Sequence, residues 1–228
     1  MIPLRDSEAT HRLTLANTIL ILANFAIYGL ELRLGQRLEP LLSRYAMVPA
    51  HIAHLNAMGA VAAIGSLATL VTSLFLHAGL LHVVGNMLYL FIFGPAVEEQ
   101  LGHLRFLWFY LLAGIIAGLA MVAMGPESRV AVIGASGAIA GVLGAYFILH
   151  PRGRILGVLF IWSFEVPAAA WLLLWFAVQL YSGIQTGARG PLAGGVAWWA
   201  HVGGFLFGVA LGPLLARAPV PRMRKRRT

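Results

Sequence analysis

Long apolar runs separated by short polar segments dominate the chain, at about 13–30, 57–76, 80–97, 104–124, 130–149, 156–182 and 196–216. Crossing the roughly 30 Å of bilayer hydrocarbon takes about 20 apolar residues as a helix, so most of these runs are of spanning length. The run at 57–76 is cut by Gly59 and Gly65, and His77-Ala78-Gly79 leaves too little chain to reverse direction before the next run. It is therefore assigned to a long, partly membrane-embedded first loop, 31–79. The expected fold is an all-α membrane protein: a six-helix bundle forming a single transmembrane domain over 1–216, with spans at 13–30, 80–97, 104–124, 130–149, 156–182 and 196–216. Residues 217–228 form a basic tail.

Composition agrees with a bilayer setting. Sixty per cent of the 228 residues are hydrophobic, 11% are charged and mean hydropathy is +0.83, more apolar surface than a water-soluble domain can bury in one core. The first run, Leu13 to Leu30, is too long for a signal peptide and lacks a small-residue cleavage site, so it reads as the first span. The net charge of +8 does not point to nucleic acid, because five of the sixteen basic residues crowd the last seven positions. Such a tail marks a cytoplasmic end or contacts anionic lipid. With six spans and both termini inside, eleven of the sixteen Lys and Arg fall on the inner side: Arg5, Arg12, Arg105, Arg152, Arg154 and six from Arg217 onward. The positive-inside rule favours that arrangement over seven spans. Gly137, Gly141 and Gly144 in the fourth span, and Gly204, Gly208 and Gly212 in the sixth, recur at helical spacing and predict close packing of these two helices. The glycine-rich stretch Ser182 to Gly195, just before the sixth span, is the expected position of a lid.

Cysteine is absent, which excludes disulfides, thiolate zinc sites and a cysteine nucleophile. Polar side chains within spans are costly and mark function by default. They are His82 and Asn86 in the second span, Ser136 in the fourth and His201 in the sixth. In the six-span topology these spans enter from the same side, and each residue lies in the first two turns of its helix. His82 and Asn86, four apart, share one helical face. The set suits acyl transfer, with Ser136 attacking a peptide carbonyl, His201 shuttling the proton, and His82, Asn86 and the Ser136 N–H holding the oxyanion. Ser136 also sits near a helix N-terminus, where free N–H groups favour negative charge. No carboxylate is placed to orient the imidazole: Glu98 and Glu99 are at the far end of the second span, Glu127 is in a loop and Glu165 is near the inner start of the fifth span. A Ser-His dyad follows, its imidazole held by packing, with Trp198 and Trp199 contributing to that packing or to the interface belt. Trp162, Trp171 and Trp175 read as ordinary span and interface residues.

Blander readings exist for each feature. GxSG alone in a membrane helix is ordinarily small-residue packing, His82 and Asn86 alone could pair across helices, and His77 suits a loop cap. A metal hydrolase using His77, His82 and His201 is disfavoured, since HExxH is missing and no carboxylate lies near these histidines. A non-catalytic binder or transporter of membrane helices is the other alternative.

Gly134-Ala135-Ser136-Gly137 resembles the GxSG motif of the rhomboid family. His77 through Asn86 is similar to its HxxxxHxxxN segment, and Ala200-His201-Val202-Gly203-Gly204 with Gly208 resembles AHxxGxxxG. Gly94-Pro95-Ala96-Val97-Glu98 is similar to the family's GxxxE. The likeness spans roughly residues 66–212 and implies an intramembrane serine protease that needs no cofactor or metal and cuts transmembrane segments of other proteins near the outer face. It further implies Ser136 and His201 as the dyad, His82 and Asn86 as oxyanion partners, His77 as structural, Glu98 as a structural partner of the long loop, and a fifth helix that gates substrate. Two departures stand out: Ala68-Thr69 replaces a frequent Trp-Arg, and Ala140 replaces an aromatic that often stacks on the histidine, so another side chain is expected in its place.

Overall fold

The computed structural model describes residues 2–8, 13–159, 162–187 and 195–217. Six helices form the bundle: α1 (Leu15–Leu34), α5 (Leu80–Leu101), α6 (His103–Met124), α7 (Ser136–Leu149), α8 (Ala168–Gly187) and α9 (Trp198–Leu215). Five of them are long and apolar enough to cross a membrane, and α7, with 14 residues, is shorter. Between α1 and α5 the long loop folds into α2 (Leu38–Tyr45), α3 (Pro49–Ala53) and α4 (Ala60–Thr72). At 13 residues α4 is about 20 Å long, too short to span, and its Val61, Ile64 and Leu67 are exposed as a lipid-facing residue would be.

Helix α7 is the axis of the molecule, with every residue from Gly137 to Tyr146 buried. Around it pack Phe93, Phe106, Phe109 and Tyr110, all inaccessible to solvent. Its contact with α9 is made through glycine. A Cβ on Gly208 or Gly204 would collide with the carbonyl oxygens of Gly141 and Gly137 respectively, and one on Gly144 with that of Phe205. On Gly212 it would lie 2.7 Å from the Ala145 methyl. Without side chains in the seam, the two backbones approach closely enough for dispersion to act along their length, which is the main attraction between helices surrounded by lipid.

Two elements begin later than hydropathy suggests. Within the apolar run 130–149 the helix starts only at Ser136, because the preceding residues bond to the long loop: Val132 bridges Met47 and the Gly134 N–H reaches the Ser73 carbonyl at 2.9 Å. Within the run 156–182 the helix starts only at Ala168. Residues before it form an antiparallel hairpin, β2 (Arg154–Leu159) and β3 (Trp162–Pro167), to which the N-terminal strand β1 (Ile2–Asp6) adds in the order β1-β2-β3. Glu165 is thus a strand residue paired with Arg154 at 3.1 Å, and not the start of a fifth span. Apolar, β-branched and aromatic residues suit a strand as well as a span, and Pro167, without an N–H, is tolerated at a sheet margin or just before a helix. The expected lid falls partly outside the described residues, as does the basic tail from 218 onward.

Candidate active site

Ser136 is the first residue of α7, and the turn before it brings three elements together. Gly134 has φ of +118°, a conformation open to glycine and strained for other residues. A Cβ there would lie 2.7 Å from His82 Cε1 and Nε2 and 3.6 Å from Asn86 Nδ2. Glycine is required twice over, for the backbone angle and for the close approach of α5. Ala135 then leads into the helix, so the first-turn N–H groups of α7, including that of Ser136, have no partner four residues back.

His201, in the first turn of α9, faces Ser136 across the glycine seam, with Nε2 2.8 Å from Ser136 Oγ. The imidazole is buried, and its Nδ1 lies 2.7 Å from Gln179 Oε1 on α8. Trp175 of α8 tilts over the ring at 5.8 Å between centroids, and Trp198 meets it edge-on at 6.3 Å. Ala140, four residues after the serine, is buried, with its methyl 3.3 Å from where a Cβ on Gly204 would be. Trp175 stands by the ring instead. It is a partner of His201 rather than an ordinary span residue, and Gln179 supplies the polar contact that no carboxylate does. Trp199 packs under Gly183 instead of on the imidazole.

On α5 the Ala78 N–H donates to His82 Nδ1 at 3.4 Å, so Nε2 carries the hydrogen and points toward Gly134. Asn86 Nδ2 donates to His77 Nε2 at 3.0 Å, which fixes the amide with its second hydrogen free. His77 is held in turn by its own N–H, donated to Glu31 Oε1 at 3.1 Å, and by ring contact with His82. Burial pushes the His77 imidazole down to about 4, with His82 adding to the effect, so it is a neutral acceptor at physiological pH. The structure therefore gathers Ser136, His201, His82, Asn86, Gly134 and His77 at one end of the bundle. Both His201 nitrogens are engaged by Ser136 and Gln179, and among the described residues no cluster of three metal-binding side chains occurs.

Glu98 lies at the other end. Its carboxylate accepts the N–H groups of Ala16 at 2.9 Å and Asn17 at 2.7 Å, and His103 Nδ1 also meets it. It therefore caps α1 and does not reach the long loop, whose carboxylate contacts come from Glu31, at His77, and from Glu127, 2.9 Å from His54 Nε2. Gln179 and Glu31 are the residues that reading the sequence missed. The one available signal was a strongly polar side chain within an otherwise apolar helix.

The family model for the rhomboid domain matches residues 64–218. Rhomboid protein 1, mitochondrial, of Saccharomyces cerevisiae is 32% identical over 165 residues, covering 70% of this chain and 44% of the yeast protein. The putative rhomboid protease YdcA of Bacillus subtilis is 42% identical over 89 residues, covering 39% of this chain and 44% of its own. The rhomboid protease GluP of the same organism is 42% identical over 85 residues, 37% of this chain and 16% of that protein. The chain thus spans less than half the length of these curated relatives. The matched stretch contains the glycine seam, the turn at Gly134 and the meeting of Ser136 with His201, and by this match the chain belongs to the rhomboid family, which includes intramembrane serine proteases.

Proposed function

We propose that this integral membrane protein is an intramembrane serine endopeptidase that cleaves transmembrane segments of other membrane proteins through a Ser136–His201 dyad. The observation that carries the reading is the 2.8 Å approach of His201 Nε2 to Ser136 Oγ at the start of a buried helix. In the reaction, Ser136 Oγ attacks the scissile carbonyl carbon as its proton passes to His201 Nε2. The tetrahedral intermediate collapses when that proton is given to the leaving amine, and water then hydrolyses the acyl-enzyme by the same route. The developing oxyanion is held by the Ser136 N–H, the His82 Nε2–H and the free hydrogen of Asn86 Nδ2. One such donor is commonly worth about 10²–10³ in kcat, and general base catalysis about 10²–10⁴.

The length of α7 supports chemistry below the membrane surface. Fourteen residues make a helix of about 21 Å, short of the roughly 30 Å hydrocarbon layer, so its serine end is recessed by about 10 Å if the other end reaches the interface. Water and an unwound substrate strand meet Ser136 there. Both termini are assigned to the cytoplasmic side and the serine end to the outer side, on the distribution of Lys and Arg. The protein surface needs no cofactor for these steps. The test is incubation of the purified chain in liposomes with a panel of single-span substrates, wild type against Ser136→Ala. Cleavage by the wild type alone supports the assignment, and equal cleavage by both removes it.

A further inference from the structure

The steps above leave one buried polar group of the site unused. Gln179 is 6% exposed, whereas Leu173, Leu174, Val178 and Tyr181 of the same helix are about half exposed or more. A buried amide is destabilising unless both its ends are bonded. Here each end has a different partner: Nε2 is 3.2 Å from the Trp175 carbonyl oxygen, and Oε1 is 2.7 Å from His201 Nδ1.

These two contacts determine where the protons are. A backbone carbonyl only accepts, so the amide nitrogen faces Trp175 and the amide oxygen faces the imidazole. That oxygen also only accepts, so Nδ1 carries the ring hydrogen. A neutral imidazole protonated at Nδ1 has its lone pair on Nε2, directed at the Ser136 hydroxyl 2.8 Å away. The opposite tautomer would set two lone pairs against each other at Gln179 and present an N–H to Ser136, which cannot then be deprotonated. The backbone of α8 thereby sets, through one amide, which nitrogen of a residue on α9 acts as base.

We propose that Gln179 is a positioning residue that sets the tautomer and orientation of His201 from α8, in the role a carboxylate fills in a Ser-His-Asp triad. The proposal rests on the serine protease reading. A neutral amide orients the ring without adding a negative charge to it, so the base is held in place without a fixed anion beside it in a lipid setting.

Two near-isosteric variants separate this role from packing. Leucine at 179 fills the space and removes the acceptor, whereas glutamate keeps an acceptor and adds charge. Cleavage of a single-span reporter in liposomes is followed across pH for wild type, Gln179→Leu, Gln179→Glu and Ser136→Ala, with thermal midpoints measured alongside. Gln179→Leu is expected to lower kcat on the order of 10–100-fold, the usual effect of removing a partner that fixes a functional histidine, with KM unchanged. Gln179→Glu is expected to retain activity at neutral and higher pH, with the acid limb of kcat/KM moved to higher pH because the carboxylate holds the imidazolium. Gln179→Leu at the wild-type rate, or both variants falling equally with the acid limb unmoved, overturns the proposal. Should Gln179→Leu fail to fold, an unmoved acid limb in Gln179→Glu overturns it alone. Wild type cleaving, Ser136→Ala silent and Gln179→Leu unimpaired strikes only the role of Gln179. Equal cleavage by wild type and Ser136→Ala strikes the protease reading itself.

Discussion

Two helix starts, at opposite ends of the bundle, solve the same electrostatic problem in opposite ways. At the start of α1, the N–H groups of Ala16 and Asn17 donate to the two oxygens of the Glu98 carboxylate, buried to 1% exposure. At the start of α7, the groups gathered around the first turn are a hydroxyl, two imidazoles and an amide, with no carboxylate among them. A helix N-terminus favours negative charge in both cases. The first fills its N–H groups with a side-chain acceptor and gains stability from it. On the proposed function, the second leaves its donors for charge that develops only as a carbonyl is attacked, so its polarity would serve transition-state binding.

Breaking the α7 end should affect rate far more than stability. Ser136→Ala is expected to lower cleavage at least about 10³-fold, the scale of losing a nucleophile that acts together with its base, with the thermal midpoint little changed. Smaller in effect, Asn86→Ala should reduce kcat by about 10²–10³ as one oxyanion donor is lost, and steady-state kinetics would show the loss in kcat before KM. At the α1 end the balance reverses. Glu98→Gln turns an acceptor into a donor facing N–H groups and should cost about 1–3 kcal/mol of stability, read by denaturant or thermal unfolding in detergent, while labelling of Ser136 by a fluorophosphonate per folded molecule stays at the wild-type rate. A loss of labelling that exceeds the loss of folded protein would show the two ends to be coupled.

The weakest expected effect concerns β1. Burial pushes the Asp6 carboxyl up to about 6, with Glu8 adding to the rise and the Tyr146 hydroxyl partly opposing it. A carboxyl raised in the folded state favours folding most below its unfolded value, near 3.8, and that contribution disappears as pH climbs through about 6. Stability should therefore decline over this window through Asp6, and Asp6→Asn should flatten the decline. Thermal midpoints from pH 4 to 7 would measure it, and identical slopes for the two proteins would exclude Asp6 as the source.

The residues of the site were legible where the membrane makes polarity expensive. His82, Asn86, Ser136 and His201 stand out because an imidazole or amide within a span needs a reason, and the structure sets them around Gly134. The glycines of α7 and α9 were legible as a pattern, and their partners follow from that pattern. Gln179 and Trp175 were not, since an apolar helix does not reveal which of its faces meets an imidazole. Glu98 was visible as a charged residue, but its partner was not, because it caps a helix more than eighty residues earlier in the chain. Hydropathy likewise overextended the fourth and fifth spans: it measures transfer out of water, and Val132, Gly134 and the strand β2 are settled instead by which distant backbone groups accept their hydrogen bonds.

The sequence by itself determined that the chain lives in a bilayer, which two helices fuse through glycine and which polar side chains stand within spans, because each of these depends on residue type and local spacing. Tertiary structure alone decided where helices give way to strands, which carboxylate caps which helix and which nitrogen of His201 faces Ser136. Those outcomes depend on pairing between groups far apart in the chain, where a hydrogen bond forms only after the fold has brought donor and acceptor together.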